Sequence, residues 1–292
     1  MHIERVGFDS LLMPQKRLDK SVVIIGGTSG MGLSAAVACK EAGARLVVVG
    51  RDAESTELAR RQLGDLARCL VGDATNPQTA ERAVVEAVEQ FGRLDALYHV
   101  AGGSGRKFGD GPLHEVTDDG IDWTLALNVK SVIFSNRAAV RQFLKQGDGG
   151  AILNMGSVLG SRPSPKFFAT HIYAAAKSAL IGFTRSCAAY YAKDNIRFNL
   201  IAPSLVETPM AQRASGDETI LRFLSTKQPL DGGRIGRPAD LDEAVLLFLG
   251  DGSNFITGQV LSVDGGWSIS EGQIPSSDQK RLSDEQSGSH WH

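Results

Sequence analysis

The chain has 292 residues, enough to bury a large core in one domain or to form two small ones. Charged residues make up 22% of it and the net charge is −2, with the basic side chains scattered, which argues against a nucleic-acid surface. Three distant cysteines with no CxxC pair point to reduced thiols and a cytoplasmic protein, and no apolar run reaches the roughly 18 residues a membrane span needs.

Residues 1–17 carry Glu4 and Asp9 and lack an unbroken apolar stretch, so they read as an arm leading into the first strand and not as a signal peptide. Short apolar runs then follow at Val22–Ile25, Leu46–Val49, Cys69–Val71, Ala96–Val100, Ala151–Asn154, Arg197–Ile201 and Val260–Val263. Several are apolar almost throughout, as strands buried on both faces are. Between them the pattern predicts helices near 31–42, 53–64, 77–91, 121–146, 171–192 and 238–249. The third has Asn76 as N-cap, Pro77 at its first position and Gly92 just past its end.

This unbroken strand–helix alternation predicts an α/β fold, a Rossmann-like doubly wound parallel sheet of about seven strands with helices on both faces, in a single domain over residues 18–270. Residues 271–292 read as a polar tail. Two histidines near its end, His290 and His292, are more simply solvated than metal-binding, and no metal site is expected.

The first strand runs into "GGTSGMG", which sets Gly26, Gly30 and Gly32 ahead of a helix. Such a turn lets the backbone approach a pyrophosphate, which the free N–H groups of the helix N-terminus then stabilise. A P-loop would need lysine after the last glycine, where Leu33 stands. A methyltransferase binding S-adenosylmethionine would share the glycine turn but has no use for the pair described next. In "HIYAAAKSAL", Tyr173 and Lys177 lie one helical turn apart on one face. An ammonium beside a phenol favours the phenolate, so the pair is expected to lower the tyrosine's pKa and make it an acid–base group.

At the end of the second strand, an acidic residue would hold the ribose of NAD and an arginine would suit a 2′-phosphate. Gly50 leaves room there, Arg51 offers a planar fork, and Asp52 either competes or caps the next helix. NADP(H) is therefore expected ahead of NAD(H).

With these motifs in order over residues 18–267, the chain resembles the short-chain dehydrogenase/reductase family. "GDAT" matches the family's adenine-side segment at Asp73 and Ala74, and "HVAG" stands where the family has NNAG, keeping Ala101 and Gly102 but losing both asparagines. "ALNVKS" supplies Asn128, "NMGSVLG" supplies Ser157, and "NLIAPSLVETPM" supplies Asn199, Pro203 and Thr208. The resemblance implies a catalytic set of Asn128, Ser157, Tyr173 and Lys177. Tyr173 would be the general acid–base, Ser157 would hydrogen-bond the substrate oxygen, and Asn128 would hold a relay water. Lys177 would bind the nicotinamide ribose and depress the phenol's pKa. It also implies a cofactor cradle in which Gly26, Thr28, Ser29, Gly30, Met31 and Gly32 form the turn. Arg51, Asp73, Ala74, Ala101 and Gly102 would follow, joined by Tyr173 and Lys177, with Pro203, Val206 and Thr208 on the far side.

Ser157 lacks the G-x-S-x-G context of a nucleophile. His99 and His171, without metal spacing or a carboxylate partner, are weak candidates as bases, and Arg106 and Lys107 read as solvated charges on a glycine-rich loop. Phe167 and Phe168 offer apolar contact to substrate, and residues 204–234 fall where the family keeps a mobile lid. The function implied is interconversion of a small secondary alcohol and a ketone. A 3-oxoacyl-thioester reductase is a narrower version, and a catalytically silent nucleotide sensor is the rival. The family's habit implies a homo-oligomer, tetramer or dimer, formed through the helices at 121–146 and 171–192 and the last strand.

Overall fold

In the computed structural model the described residues are 18–273; the arm at 1–17 and the tail beyond, with His290 and His292, lie outside them. Seven strands form one sheet: β1 (Ser21–Ile25), β2 (Arg45–Gly50), β3 (Ala67–Val71), β4 (Ala96–His99), β5 (Gly150–Met155), β6 (Ile196–Pro203) and β7 (Val260–Val263). Their order is β3-β2-β1-β4-β5-β6-β7, and every neighbouring pair is parallel. All seven expected strands are present, which is the doubly wound architecture anticipated from the alternation.

Alternate side chains of each strand face opposite ways, so the sheet feeds two cores. Val22, Ile24, Leu46, Val48 and Leu153 pack against α1 (Gly30–Glu41), α2 (Ala53–Leu63) and α9 (Asp242–Leu249). Val23, Ile25, Val47, Leu97 and Ile152 pack against α3 (Pro77–Phe91), α5 (Ser131–Gln146) and α6 (His171–Tyr191). The caps read from sequence hold at α3: the Gln78 N–H donates to Asn76 Oδ1 at 3.0 Å, and Gly92 ends the helix with φ 81°.

Two elements differ from the sequence pattern. The helix expected over 121–146 begins earlier, as α4 (Asp118–Leu125), with the Gly120 N–H donating to Thr117 Oγ1 at 3.0 Å. It is then interrupted by a π-helical turn at Ala126–Lys130 before α5. One inserted residue is invisible to a periodicity test, yet such turns recur at functional sites. The lid segment, read as a loop, contains α7 (Gln212–Ser215) and α8 (Glu218–Lys227). Asp217 caps α8 by accepting from Thr219 and Ile220 N–H groups, and Ile220, Phe223 and Leu224 form its buried stripe.

Candidate active site

Strand order reverses between β1 and β4, and their carboxyl ends open the crevice where open α/β sheets take ligands. Gly26 leaves β1 at φ 90°, and a Cβ there would lie 2.6 Å from the Ala101 nitrogen. Only glycine lets the two strand ends close up in this way. Ser29 precedes α1 with no side-chain cap bond, so the helix's first N–H groups have no serine oxygen on them. Thr208 packs over this turn: a Cβ on Gly30 would lie 3.2 Å from its Cγ2. The tight glycine turn, the helix N-terminus and the overhanging Thr208 fit a dinucleotide's pyrophosphate.

Farther along this edge, Asp73 follows β3 and accepts from the Thr75 N–H at 2.8 Å, while Ala74 packs against the second core. Asp52 turns out to be the N-cap of α2: it accepts the Ser55 N–H at 2.7 Å, and that bond holds its carboxyl below the usual range. Arg51 beside it is exposed. The room attributed to Gly50 is filled from within, because a Cβ there would meet Thr28 Oγ1 at 2.1 Å. Gly50 is needed to admit the Thr28 side chain, not a phosphate.

The opposite wall carries the four polar residues expected to act together. Tyr173 and Lys177 share one face of α6, with Lys177 Nζ 5.6 Å from the centre of the tyrosine ring. Lys177 is 2% exposed and donates to the Met155 carbonyl at 2.9 Å. Ser157 follows β5; the Leu159 N–H donates to its Oγ at 3.2 Å, and its hydroxyl is near enough to the Tyr173 phenol to favour the phenolate. Asn128 sits in the π turn, fully buried. Its amide donates to the carbonyls of Gly103 at 2.8 Å and Thr124 at 2.9 Å, and its Oδ1 accepts the Gly103 N–H at 3.0 Å. The Asn128 side chain is thus committed to bracing the Gly103 peptide.

The electrostatics correct one expectation. Burial pushes the Tyr173 phenol up to about 12, with the Ser157 hydroxyl pulling the other way, and burial pushes Lys177 down to about 8. Lys177, with its Nζ 5.6 Å from the ring centre, does not offset the rise that desolvation imposes on the phenol. The Tyr173 phenol is therefore protonated at neutral pH.

The two missing NNAG asparagines are replaced by a different brace. His99 Nδ1 lies 2.7 Å from Ser135 Oγ on α5, and its Nε2 lies 3.0 Å from the Ala101 carbonyl and 3.2 Å from Ser131 Oγ. Burial, and secondarily the charge of Lys177, hold His99 down to about 3, so it is neutral and serves as a strut between β4 and α5. Asn136 and Asn154 exchange two hydrogen bonds of 2.9 Å and tie α5 to β5 in the same way. His171 is exposed at the first turn of α6.

Phe167 and Phe168 both make ring contacts within the protein. Phe167 packs on Phe223 of α8 at 5.0 Å between ring centres, and Phe168 on Trp267 at 5.6 Å. Phe167 ties α8 to the serine–tyrosine loop, and Phe168 ties that loop to Trp267. Asn199, on β6, donates to the Ile256 carbonyl at 2.9 Å and accepts the Gln259 N–H at 3.0 Å, which fixes the turn before β7. Beyond Pro203 the chain is buried at Val206, which forms a parallel bridge with Gly236.

A glycine turn at a sheet's switch point, with a half-buried tyrosine and a buried lysine on α6, defines a nucleotide-dependent oxidoreductase. The family model described as enoyl-(acyl carrier protein) reductase matches residues 26–268. A 2-dehydro-3-deoxy-D-gluconate 5-dehydrogenase from Dickeya dadantii is 32% identical over 85% of this chain and 95% of its own length. A 3beta-hydroxysteroid dehydrogenase from Eggerthella lenta is 31% identical over 85% and 95%. A solved short-chain type dehydrogenase/reductase from Mycobacterium ulcerans superposes with a TM-score of 0.81 at 26% identity, covering 94% of this chain and all of that one. The chain belongs to the short-chain dehydrogenase/reductase family, and it is an oxidoreductase of that family.

Proposed function

We propose that the protein interconverts a small secondary alcohol and a ketone with NADP(H) preferred over NAD(H), using Tyr173 as the general acid–base. The observation that carries this reading is the placement of Tyr173 with the buried Lys177 on one face of α6, near the Ser157 hydroxyl at the end of β5. A nicotinamide bound there supplies the hydride in reduction and accepts it in oxidation. Ser157 and Tyr173 donate hydrogen bonds to the substrate oxygen as negative charge grows on it. Tyr173 then passes its phenolic proton to that oxygen, so the carbonyl gains one hydride and one proton. The phenolate then regains a proton from the adjacent Lys177 ammonium, which recovers its own from solvent, and Asn128 keeps the Gly103 peptide in place. With the Asn128 side chain so engaged, a relay water beyond Lys177 would be held by main-chain oxygen.

NADP(H) preference rests on Arg51 being exposed while Asp52 is spent on the α2 cap. Arg51→Ala should weaken NADPH roughly tenfold or more and NADH by less than about twofold, since only the 2′-phosphate loses a charge-assisted partner. Equal losses measured by fluorescence titration would reverse the preference.

The catalytic unit is taken to span 18–270 with 204–234 as lid, and assembly as a homo-oligomer follows the family's habit. A cytoplasmic location is supported by Cys39, Cys69 and Cys187, all free thiols. The deciding experiment is a screen of NADPH and NADH oxidation against ketones, sugars and acyl thioesters. Consumption of NADPH with simple ketones supports the reading, preference for acyl thioesters selects the narrower reductase, and cofactor binding without turnover across the panel selects the sensor.

A further inference from the structure

The first turn of α6 is capped from far away in sequence. Thr170 stands at its N-cap position but makes no side-chain cap bond. Instead the Ile172 N–H donates to Asp110 Oδ1 at 3.0 Å and the Tyr173 N–H donates to Asp110 Oδ2 at 2.9 Å. The His171 N–H reaches the Gly111 carbonyl at 3.3 Å. Thus three N–H groups that a helix leaves without intrahelical partners are taken up by one loop between β4 and α4. Asp110 itself is 3% exposed. A carboxylate this buried is rare unless its oxygens are bonded, and both are.

That loop is held against α4 by close backbone contact. Gly109 adopts φ 103°, and a Cβ on it would strike Thr117 Oγ1 at 2.1 Å. A Cβ on Gly120, in the first turn of α4, would lie 2.6 Å from the Gly109 carbonyl carbon and 2.8 Å from the Asp110 nitrogen. The Asp110 N–H donates to the Gly105 carbonyl at 3.1 Å, and the Thr117 N–H to the Gly109 carbonyl at 3.1 Å. Asp110 therefore sits on α4, the helix that leads into the Asn128 turn, and grips α6 at the residue that carries the phenol.

We infer that Asp110 is a positioning residue for the reaction: its carboxylate fixes the backbone of Tyr173 and so registers the phenol against Ser157. The inference rests on the acid–base role given above to Tyr173. A cap on any helix adds stability; here both bonds end at the residue before the phenol and at the phenol-bearing residue itself, so a small shift at the cap becomes a shift at the reacting atom.

The test uses the full chain, with Asp110→Asn as a near-isosteric change. An asparagine amide accepts through one oxygen only and turns an N–H toward the second N–H of the helix, so one bond is replaced by repulsion. The expected result is a fall in kcat of about tenfold to a hundredfold with the cofactor Kd within about twofold of wild type, since misplacement by an ångström costs that much in rate. The solvent deuterium isotope effect on kcat should also rise, because proton delivery from the displaced phenol becomes slower relative to the other steps. Loss of activity only in proportion to lost folded protein, with an unchanged isotope effect, would reduce Asp110 to a helix cap. Should Asp110→Asn not fold, Asp110→Glu keeps the charge and both acceptors but lengthens the arm, and full activity in that variant would overturn the inference. A Tyr173→Phe variant run alongside separates the two failures. If it stays active, the assignment of Tyr173 fails; if it is dead while Asp110→Asn turns over normally, only the positioning role fails.

Discussion

Tyr173→Phe should lose about a thousandfold or more of kcat in both directions while binding NADPH within about twofold of wild type, the scale of a lost general acid–base group combined with a lost oxyanion donor. The ring itself stays, so its packing over Lys177 at 5.6 Å persists and the ribose side of the site is undisturbed. What disappears is the hydroxyl near the Ser157 side chain. Removing a hydroxyl of this kind costs the fold only about 1 kcal/mol, so the variant remains folded and its defect is chemical. The wild-type pH dependence has a definite sign. With the phenol raised to about 12, Tyr173 is protonated across the neutral range and ready to donate, so its own titration leaves carbonyl reduction flat there. Alcohol oxidation needs the phenolate and should climb with pH well into the alkaline range. Wild-type rates in Tyr173→Phe, measured with a reactive ketone and with its alcohol, would remove the mechanism.

The strands were legible because a parallel sheet buried on both faces writes itself as apolar runs, and β1, β2 and β5 are buried along almost their whole length. The glycine turn was legible because its glycines are demanded by backbone contacts such as Gly26 against Ala101. Less accessible were features that depend on distant partners. The π turn at Ala126–Lys130 leaves the apolar period of its helix nearly unchanged, yet it turns Asn128 toward Gly103. Helix α8 carries a capping aspartate and an Ile220–Phe223–Leu224 stripe that mark it, but the stripe is short and its partner, Trp267, lies well beyond the helix in sequence. The capping of α6 by Asp110 has no local signature, because cap motifs are read within a few residues and this one spans 62 positions to Ile172. The pKa of Tyr173 is not legible for a related reason: spacing reports proximity to Lys177 and is silent on how far each group is desolvated. His99 is the reverse case. A residue that looked like a lost family feature performs the bracing by other means, through Ser131, Ser135 and the Ala101 carbonyl.

Lys177→Met should abolish most turnover and make the protein more stable. An ammonium 2% exposed, with one carbonyl at 2.9 Å as its hydrogen-bond partner among the described residues, is held in the folded state at a cost. Its pKa of about 8 against an ordinary 10.5 measures that cost at about 3 kcal/mol. The folded protein binds this proton more weakly than the unfolded chain does. The penalty is therefore fully present below pH 8, shrinks as the pH rises between about 8 and 10.5, and is gone above that. Methionine fills much the same volume without the charge, leaving only the Met155 carbonyl to lose a partner at about 1 kcal/mol. The net gain of about 2 kcal/mol corresponds to a rise in Tm of roughly 4–8 °C for a chain of this size, measured without cofactor at pH 7. Wild-type stability should also increase between pH 8 and 10 relative to the variant, which has no such proton to release. A lower Tm for Lys177→Met at pH 7 would mean that the ammonium is stabilised in the fold by partners other than the Met155 carbonyl. The buried charge would then not be a site held at the expense of stability, as an active-site lysine is expected to be.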